Sequence, residues 1–142
     1  MSNYRISTNK KDLDTDLVHN FLSQSYWAAG IPKETLLNAI DNSFCFGVFT
    51  ETNEQVGFAR LITDKATFAY LADVFILEEH RNRGLAKRLV KEILSHPELQ
   101  GMRRINLATR DAHELYKPFG FTALSNPQNM MEIINPNVYK KI

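Results

Sequence analysis

One stretch of this chain limits its fold more than any other: an apolar run that passes through a short charged turn into an amphipathic helix. Residues 74–77 are apolar and mostly β-branched or aromatic, which indicates a buried strand. From Leu85 onward, apolar residues return at three- and four-residue steps, the spacing of one helix face. Gly84 stands between the two segments. The pattern therefore predicts a strand that runs through a glycine-containing turn into a helix.

The junction between this strand and this helix is suited to an anion. The N–H groups of a first helical turn have no partner within the helix, and the positive end of the helix dipole lies there. Gly84 lets a ligand approach the main chain because it has no Cβ, and Ala86 is nearly as small. We therefore expect residues 81–86 to form a phosphate-binding turn.

The sequence of this turn is Arg-Asn-Arg-Gly-Leu-Ala. It resembles the Arg/Gln-x-x-Gly-x-Gly/Ala pattern with which the GNAT superfamily of acyl-CoA-dependent N-acetyltransferases holds the pyrophosphate of coenzyme A. Many members have Gly where Asn82 and Ala86 stand. The resemblance implies acetyl-CoA as the cofactor, held by Arg81, Asn82, Arg83, Gly84, Leu85 and Ala86. It also implies that the pantetheine arm pairs, as an added strand would, with the main chain of Val74, Phe75 and Ile76.

A second block, residues 109–121, also resembles this family. It reads Thr-Arg-Asp-Ala-His-Glu-Leu-Tyr-Lys-Pro-Phe-Gly-Phe, a polar residue at a strand end followed by a helix that carries a Leu-Tyr pair. In the family the tyrosine hydroxyl lies near the cofactor sulfur and commonly serves as general acid, and the matching residue here is Tyr116. A phenol with an ordinary pKa of about 10 is protonated at neutral pH and can donate a proton to a thiolate. The alternative is that Tyr116 is an aromatic residue of the core.

The general base and the acceptor pocket leave more alternatives open. Asp73 precedes the cofactor-pairing segment and is a candidate base, directly or through a water, or else a structural residue at a bulge. His113 has a suitable intrinsic pKa, but its place on a short helix is typical of a capping or surface histidine. The family's acceptor pocket lies between the first two helices and the middle strands, which implies walls from Tyr26, Trp27, Phe46 and Tyr70. All four also fit an ordinary core.

The remaining patterns place helices and strands around this unit. Helices are predicted after a cap at Asp12 or Asp14, from Pro32, and after Thr109 or Asp111 as far as Gly120. The predicted strands are residues 4–7, 44–50, 55–62, 67–77, 104–109, 121–124 and 130–134. The length of the strand at 67–77 indicates a bend or bulge within it.

This order indicates an α+β fold in one domain, residues 1–142, with helices packed on a mostly antiparallel sheet. It is also the order of the GNAT fold. The resemblance implies a mixed sheet of about six to seven strands flanked by about four helices.

Composition excludes several other classes. The net charge of +1 gives no general argument for nucleic acid, although a basic face of Arg81, Arg83, Lys87, Arg88 and Lys91 is an alternative interpretation. No apolar run approaches the roughly 20 residues that a membrane span needs, and the N-terminus lacks the apolar segment of a signal peptide. Cys45 is the single cysteine, so we expect a packed thiol, no disulfide and a cytoplasmic protein. No His, Cys, Asp and Glu spacing indicates a metal site.

The leading hypothesis is an enzyme that moves the acetyl group of acetyl-CoA to a primary amine of a small molecule or peptide, by direct attack in a ternary complex. The alternative is an acyl-CoA-binding sensor or partner module of the same fold, without turnover. Many relatives are dimers, so a homodimer is compatible with the resemblance, but no sequence feature identifies an interface.

Overall fold

The computed structural model describes residues 3–140. These residues contain a mixed sheet of five strands in the order β1-β2-β3-β4-β5. The strands are β1 (Arg5–Ser7), β2 (Phe44–Phe49), β3 (Gln55–Thr63), β4 (Phe68–Ile76) and β5 (Arg104–Leu107). The α-helices are α1 (Thr15–Ser23), α2 (Lys33–Asp41), α3 (Leu85–Ser95) and α4 (His113–Tyr116). The first four strands pair antiparallel, and β5 pairs parallel to β4. The α+β architecture predicted from the sequence is confirmed.

The helices form two layers on the sheet. The apolar face of α3 packs on one side, in a cluster with residues of β2, β3 and β4 such as Phe46, Val48 and Leu61. On the other side, α1 and α2 pack in a second cluster around Phe58 and Phe75. Neighbouring residues such as Cys45 and Phe46 of β2, or Phe58 and Ala59 of β3, enter opposite clusters because successive side chains of a strand point to opposite faces. Among residues 3–140, no helix is long and apolar enough to cross a membrane.

Strand β4 carries the bulge that its length predicted. Its register with β3 shifts between the Phe58–Phe75 pair and the Arg60–Ala72 pair, so that Asp73 and Val74 together oppose Ala59. Asp73 adopts the left-handed region, with φ of 58°. A bulge leaves an extra residue without a ladder partner, and it re-aims the side chains beside it.

Strands β4 and β5 pair over only about half the length of β4. Their pairing runs from Phe68–Arg104 to Leu71–Leu107. Beyond that point, residues 72–76 of β4 have β3 on one side and, within the described residues, no strand on the other. The two strands therefore part and leave an open main-chain edge on β4.

The prediction of strands at residues 121–124 and 130–134 is wrong. Neither segment is a strand, and only a short 3₁₀ turn, Pro127–Asn129, interrupts the irregular chain there. All residues from 122 to 138 are exposed. A strand forms only with a neighbour to complete its hydrogen bonds, and neither segment has one within residues 3–140. The sheet therefore has five strands instead of about six to seven.

Candidate active site

A cavity of about 570 Å³ opens where β4 and β5 part. It is bordered by the bulge of β4, by the loop that follows β5, by α4, and by the connection between α1 and α2. The lining residues are Tyr26, Trp27, Ala28, Ile31, Arg60, Tyr70, Leu71, Ala72, Asp73, Val74, Leu107, Ala108, Thr109, Arg110, Asp111, Ala112, Tyr116 and Tyr139. The cavity therefore lies at the point where the two parallel strands part.

The turn before α3 forms an open cradle. Gly84 is the N-cap of α3 with φ of 76°, and no side chain caps the helix. The first N–H to find a helical partner is that of Arg88, which donates to the Gly84 carbonyl at 3.0 Å. A Cβ built on Gly84 would meet no heavy atom within 4 Å, so the space in front of the turn is clear. Main-chain donors beside an unfilled space suit a phosphate group.

Side chains of the same turn hold its shape. Arg81 Nε donates to the carbonyl of Ile76, the last residue of β4, at 2.9 Å. Arg83 donates to the hydroxyl of Tyr4 at 3.0 Å, and that hydroxyl also hydrogen-bonds to His80 Nδ1 at 2.8 Å. Asn82 has φ of 64°, a left-handed conformation that asparagine tolerates better than most residues. This explains how Asn occupies a position where Gly is the easier choice.

The residues present fit coenzyme A. The open cradle at Gly84 matches its pyrophosphate, and the open edge of β4 can pair with its extended pantetheine arm. Val74 lines the cavity, whereas the side chains of Phe75 and Ile76 are buried in the core. Main-chain pairing with the pantetheine arm would need only that arrangement, because it would use the backbone of these three residues and not their side chains.

Tyr116 reaches the cavity from α4. Its side chain is 7% exposed, and its ring packs edge-on against Phe121 with 5.7 Å between centroids. Thr109 Oγ1 accepts a hydrogen bond from the N–H of Ala112 and so shapes the start of this short helix. Burial, together with nearby Tyr26, raises the pKa of the Tyr116 hydroxyl above its ordinary value. The phenol therefore stays protonated at neutral pH, as a proton donor requires.

Asp73 stands in the wall of the cavity with both carboxylate oxygens engaged. One accepts a hydrogen bond from Trp27 Nε1 and the other from Arg60 Nε, each at 2.8 Å. Arg60 also donates to Ser43 Oγ at 3.1 Å. The alternative that Asp73 is a bulge residue is thereby confirmed, and its role as a general base stays a prediction.

Three of the four predicted acceptor-pocket residues line the cavity. Tyr26 and Trp27 are about half-exposed and meet edge to face, and Tyr70 contributes from β4. The guanidinium of Arg110 lies 3.8 Å above the ring of Tyr26, while the Arg110 N–H donates to the Tyr26 hydroxyl at 3.2 Å. These contacts fasten the α1–α2 connection to the loop after β5.

The assignment of Phe46 to the acceptor pocket is wrong. Its side chain is fully buried in the cluster on the α3 side of the sheet, where it packs against Phe44 and His96. The alternation of β2 decides this, because Phe46 points to the opposite face from Cys45. His113 is exposed and does not line the cavity, as expected of a surface histidine.

Sequence reasoning missed four polar or aromatic residues of the cavity. The sequence contains a signal for Arg60, which is the single charged residue of a mostly apolar strand. Arg110 and Asp111 lie within the block that resembles the family, where the sequence predicts no role for Arg110 and only a possible helix cap for Asp111. No sequence pattern predicts a role for Tyr139, because this residue lines the cavity only as a result of its packing beside Gly30. Within residues 3–140, no group of three His, Cys, Asp or Glu side chains could hold a metal ion.

Comparison with known proteins identifies the family of this chain. The sequence model of the acetyltransferase (GNAT) family matches residues 13–121. A crystal structure of a GNAT-family protein from Xanthomonas campestris pv. campestris is 49% identical, with 99% of each chain covered and a TM-score of 0.96. A protein of Gibberella zeae named as an acetyltransferase is 36% identical over 80% of this chain and 75% of its own length. A structure from Deinococcus radiodurans R1, 18% identical with 100% and 99% coverage and a TM-score of 0.76, shares the fold.

The chain therefore belongs to the GNAT family of acetyltransferases. Acetyl transfer is the reaction of this family, and its acetyltransferases generally use acetyl-CoA as co-substrate. The family match covers both the turn at residues 81–86 and the block at 109–121, and it ends with the second block.

Proposed function

We propose that this protein transfers the acetyl group of acetyl-CoA to a primary amine of a small molecule or peptide, by direct attack in a ternary complex. One observation carries the proposal: the free edge of β4 lies in the same strand–turn–helix unit as the uncapped start of α3. A thioester aligned along that edge would present its carbonyl to the cavity. Bound acetyl-CoA supplies the acetyl group in activated form.

The turn at residues 81–86 holds the pyrophosphate through main-chain N–H groups. Gly84 lets the pyrophosphate approach the main chain closely. The uncapped start of α3 provides main-chain hydrogen-bond donors and the positive end of a helix dipole. Arg81 acts by tying the turn to Ile76 of β4. Because of that hydrogen bond, the turn that binds the pyrophosphate and the edge of β4 that pairs with the pantetheine arm are positioned as one unit.

The bulge in β4 supplies electrostatic stabilisation. Two residues, Asp73 and Val74, oppose Ala59 alone, so one of their main-chain groups has no place in the β3 ladder. A main-chain N–H of this segment can donate to the thioester carbonyl as negative charge develops on its oxygen. Removal of one such donor from an oxyanion hole typically costs about 10²–10³ in rate.

Tyr116 protonates the departing thiolate. Its burial keeps the hydroxyl protonated, and its position in the cavity wall places it on the α4 side of the opening between β4 and β5. The thiolate carries a full negative charge as the C–S bond breaks, and a positioned acid contributes about 10²–10⁴ to such a step.

Asp73, acting through a water, is our candidate for the base that takes the proton of the amine. The cavity wall contains two carboxylates, Asp73 and Asp111, and Asp73 is the one at the bulge. Arg60 and Trp27 hold its carboxylate in place. The acceptor enters past Tyr26 and Trp27, whose aromatic faces suit the apolar body of a small amine or side chain.

The direct test is release of free thiol from acetyl-CoA in the presence of polyamines, aminoglycosides, amino acids and peptides. We expect release that depends on one class of amine, with the N-acetylated product confirmed by mass. Coenzyme A binding without thiol release from any acceptor would instead indicate an acyl-CoA-binding module.

A further inference from the structure

Two of the charged side chains that line the large cavity have no partner of opposite charge. Arg60 and Asp73 form a largely buried ion pair, so their charges compensate each other. Arg110 and Asp111 also line the cavity, and both are exposed. Within residues 3–140, the side chains of these two residues form no hydrogen bond and no ion pair. The cavity therefore presents one guanidinium and one carboxylate, on consecutive residues, to a ligand.

The guanidinium of Arg110 is already held in position. It lies 3.8 Å from the centroid of the Tyr26 ring, and the main-chain N–H of Arg110 donates to the Tyr26 hydroxyl at 3.2 Å. A cation–π contact uses the face of a guanidinium and leaves the N–H donors in its plane free. A planar and preorganised set of donors matches a carboxylate, which it can bind through a pair of parallel hydrogen bonds.

Two hydroxyl groups beside Arg110 add neutral donors to the same wall of the cavity. The Tyr26 oxygen accepts the main-chain N–H of Arg110, and no group in the described part of the chain accepts the proton of that hydroxyl. Thr109 lines the cavity and accepts the N–H of Ala112 with Oγ1, which leaves its own proton available in the same way. A hydroxyl that accepts one hydrogen bond can still donate another. This wall is therefore rich in donors, as a site for an anion requires.

We propose that the acceptor of acetyl transfer is a free amino acid with a large apolar side chain, whose carboxylate binds Arg110 and whose ammonium group is attracted by Asp111. The inference rests on the proposed function and names its acceptor class. The α-amino nitrogen forms a bond to the acetyl carbon as the C–S bond breaks. A proton of the amine passes to the base, and the sulfur receives a proton from Tyr116. An amino acid carries both charges on groups attached to one carbon, which suits a guanidinium and a carboxylate on consecutive residues.

Other classes of acceptor match only part of this wall. A polyamine would satisfy Asp111 but would bring positive charge close to Arg110, and like charges repel. A peptide N-terminus has no carboxylate beside its amine, so the donors of Arg110 would stay unmatched. The cavity volume of about 570 Å³ is typical of sites for small ligands, which range from about 300 to 1,000 Å³.

The aromatic walls indicate the side chain of the amino acid. Trp27 is 43% exposed at the cavity, and Tyr70 lines it from β4. The exposed face of Tyr26 is less available, because Arg110 lies over that ring. Aromatic surfaces of this kind favour a large apolar or aromatic side chain in the ligand.

Three matched acceptors test the proposal: phenylalanine, phenylalaninamide and phenethylamine. All three have the same ring and a primary amine, and only phenylalanine has a carboxylate. We expect the kcat/KM for phenylalanine, measured by thiol release from acetyl-CoA, to exceed that of the other two by at least about tenfold, which corresponds to about 1.4 kcal/mol.

Variants of Arg110 show whether this residue causes the preference. The preference should disappear in Arg110→Gln, and Arg110→Lys should keep part of it because lysine has the charge but not the planar set of donors. Arg103→Gln, at an exposed arginine that does not line the cavity, is the matched control and should keep the full preference. Because each protein is judged by the ratio between acceptors, a general loss of activity caused by a weaker contact with Tyr26 cancels.

Titration of phenylalanine and phenethylamine into the complex with coenzyme A measures binding without turnover. A preference for the carboxylate that is lost in Arg110→Gln and kept in Arg103→Gln supports the proposal. Equal use of the three acceptors, an equal preference in all variants, or no binding and no acetylation of phenylalanine would overturn it, and acetyl transfer to another amine would still stand. Binding that depends on the carboxylate, without thiol release from any amine, would support the amino-acid site and contradict the proposed function.

Discussion

The carboxylate of Asp73 accepts a hydrogen bond from Arg60 Nε at 2.8 Å, across the point where β4 bulges away from β3. Both side chains are largely buried, with 8% and 15% of their surfaces exposed. Trp27 completes the arrangement from the α1–α2 connection. One carboxylate thereby joins two strands and a loop, and it maintains a left-handed main-chain conformation beside the open edge of β4. The shape of the candidate active site depends on this pair.

Replacement of Asp73 by Asn should lower the rate of acetyl transfer. If Asp73 accepts the proton of the amine through a water, Asp73→Asn should lower kcat/KM by about 10²–10⁴-fold, because the amide that replaces the carboxylate is not a base. Trp27→Phe removes one hydrogen bond to the carboxylate but keeps the carboxylate itself, and should lower kcat/KM only about tenfold, equivalent to about 1.4 kcal/mol. Initial rates measured with both variants at one pH check the difference.

The comparison also separates the two roles of Asp73. If Asp73→Asn and Trp27→Phe lose activity equally, Asp73 only maintains the bulge and is not the base. Complete removal of the carboxylate in Asp73→Ala leaves Arg60 without its ion-pair partner, which should lower the free energy of unfolding by about 3 kcal/mol. Urea unfolding would measure that loss.

Tyr116→Phe should lower turnover by about 10²-fold or more, with acetyl-CoA affinity within about threefold of the wild type. The substitution removes the proton donor and keeps the ring that packs against Phe121. Because the pKa of Tyr116 is raised, turnover should stay independent of this group through neutral pH and fall only above the ordinary phenol value of 10.0. Tyr70→Phe, at another tyrosine of the cavity, is the control and should retain most activity. Normal turnover of Tyr116→Phe would exclude the acid role.

Asn82→Gly should be tolerated, whereas Asn82→Val should destabilise the turn. The main chain at this position has a positive φ, which costs a β-branched residue about 1–3 kcal/mol. Thermal unfolding should show a lower Tm for Asn82→Val and an unchanged or higher Tm for Asn82→Gly. Equal melting temperatures in the two variants would show that the conformation of this turn is not under strain.

Cys45 should resist thiol reagents in the folded protein. Burial raises the pKa of its thiol from 9.0 to about 11, and its Sγ lies 3.8 Å from the Ile40 carbonyl. At pH 8 a thiol with that pKa is thiolate in about one molecule in a thousand. The sign of the shift means that its contribution to stability is complete below pH 9 and is lost as the pH rises toward 11. Labelling should appear only on unfolding, and rapid reaction of the native protein would contradict the buried position.

The sequence predicted the strand–turn–helix unit well because each part has a strong local signal. Apolar runs defined β4 and α3, and the strands and helices from Arg5 to Ser95, together with β5, agree within about two residues at their ends. The helix predicted as far as Gly120 is shorter, because α4 ends at Tyr116 and a 3₁₀ turn, Lys117–Phe119, follows it. The bulge was expected from the length of β4 alone. The cradle at Gly84 followed from the chemistry of a helix start, which needs no knowledge of distant residues.

Features that depend on distant contacts were missed or wrong. Arg60 joins the site only because β3 lies beside the bulge, and Tyr139 only because the chain returns to Gly30. Residues 121–124 and 130–134 have strand-like sequences but no neighbour within the described chain, so local propensity predicted strands that did not form. The resemblance implied Phe46 as a wall of the pocket, and the periodicity of β2 could not correct this because it does not say which face of the strand meets which helix layer.

Isothermal titration of coenzyme A into the wild type and into Gly84→Ala is the most direct measurement. A Cβ at Gly84 would touch no protein atom, so Gly84→Ala should fold, with a loss of about 1–2 kcal/mol from its positive φ. The same Cβ would stand where a phosphate must approach the main chain. We predict clear heat of binding in the wild type and at least roughly tenfold weaker binding in the variant, equivalent to about 1.4 kcal/mol. No heat with the wild type, or equal affinity in both proteins, would contradict a pyrophosphate site at this turn.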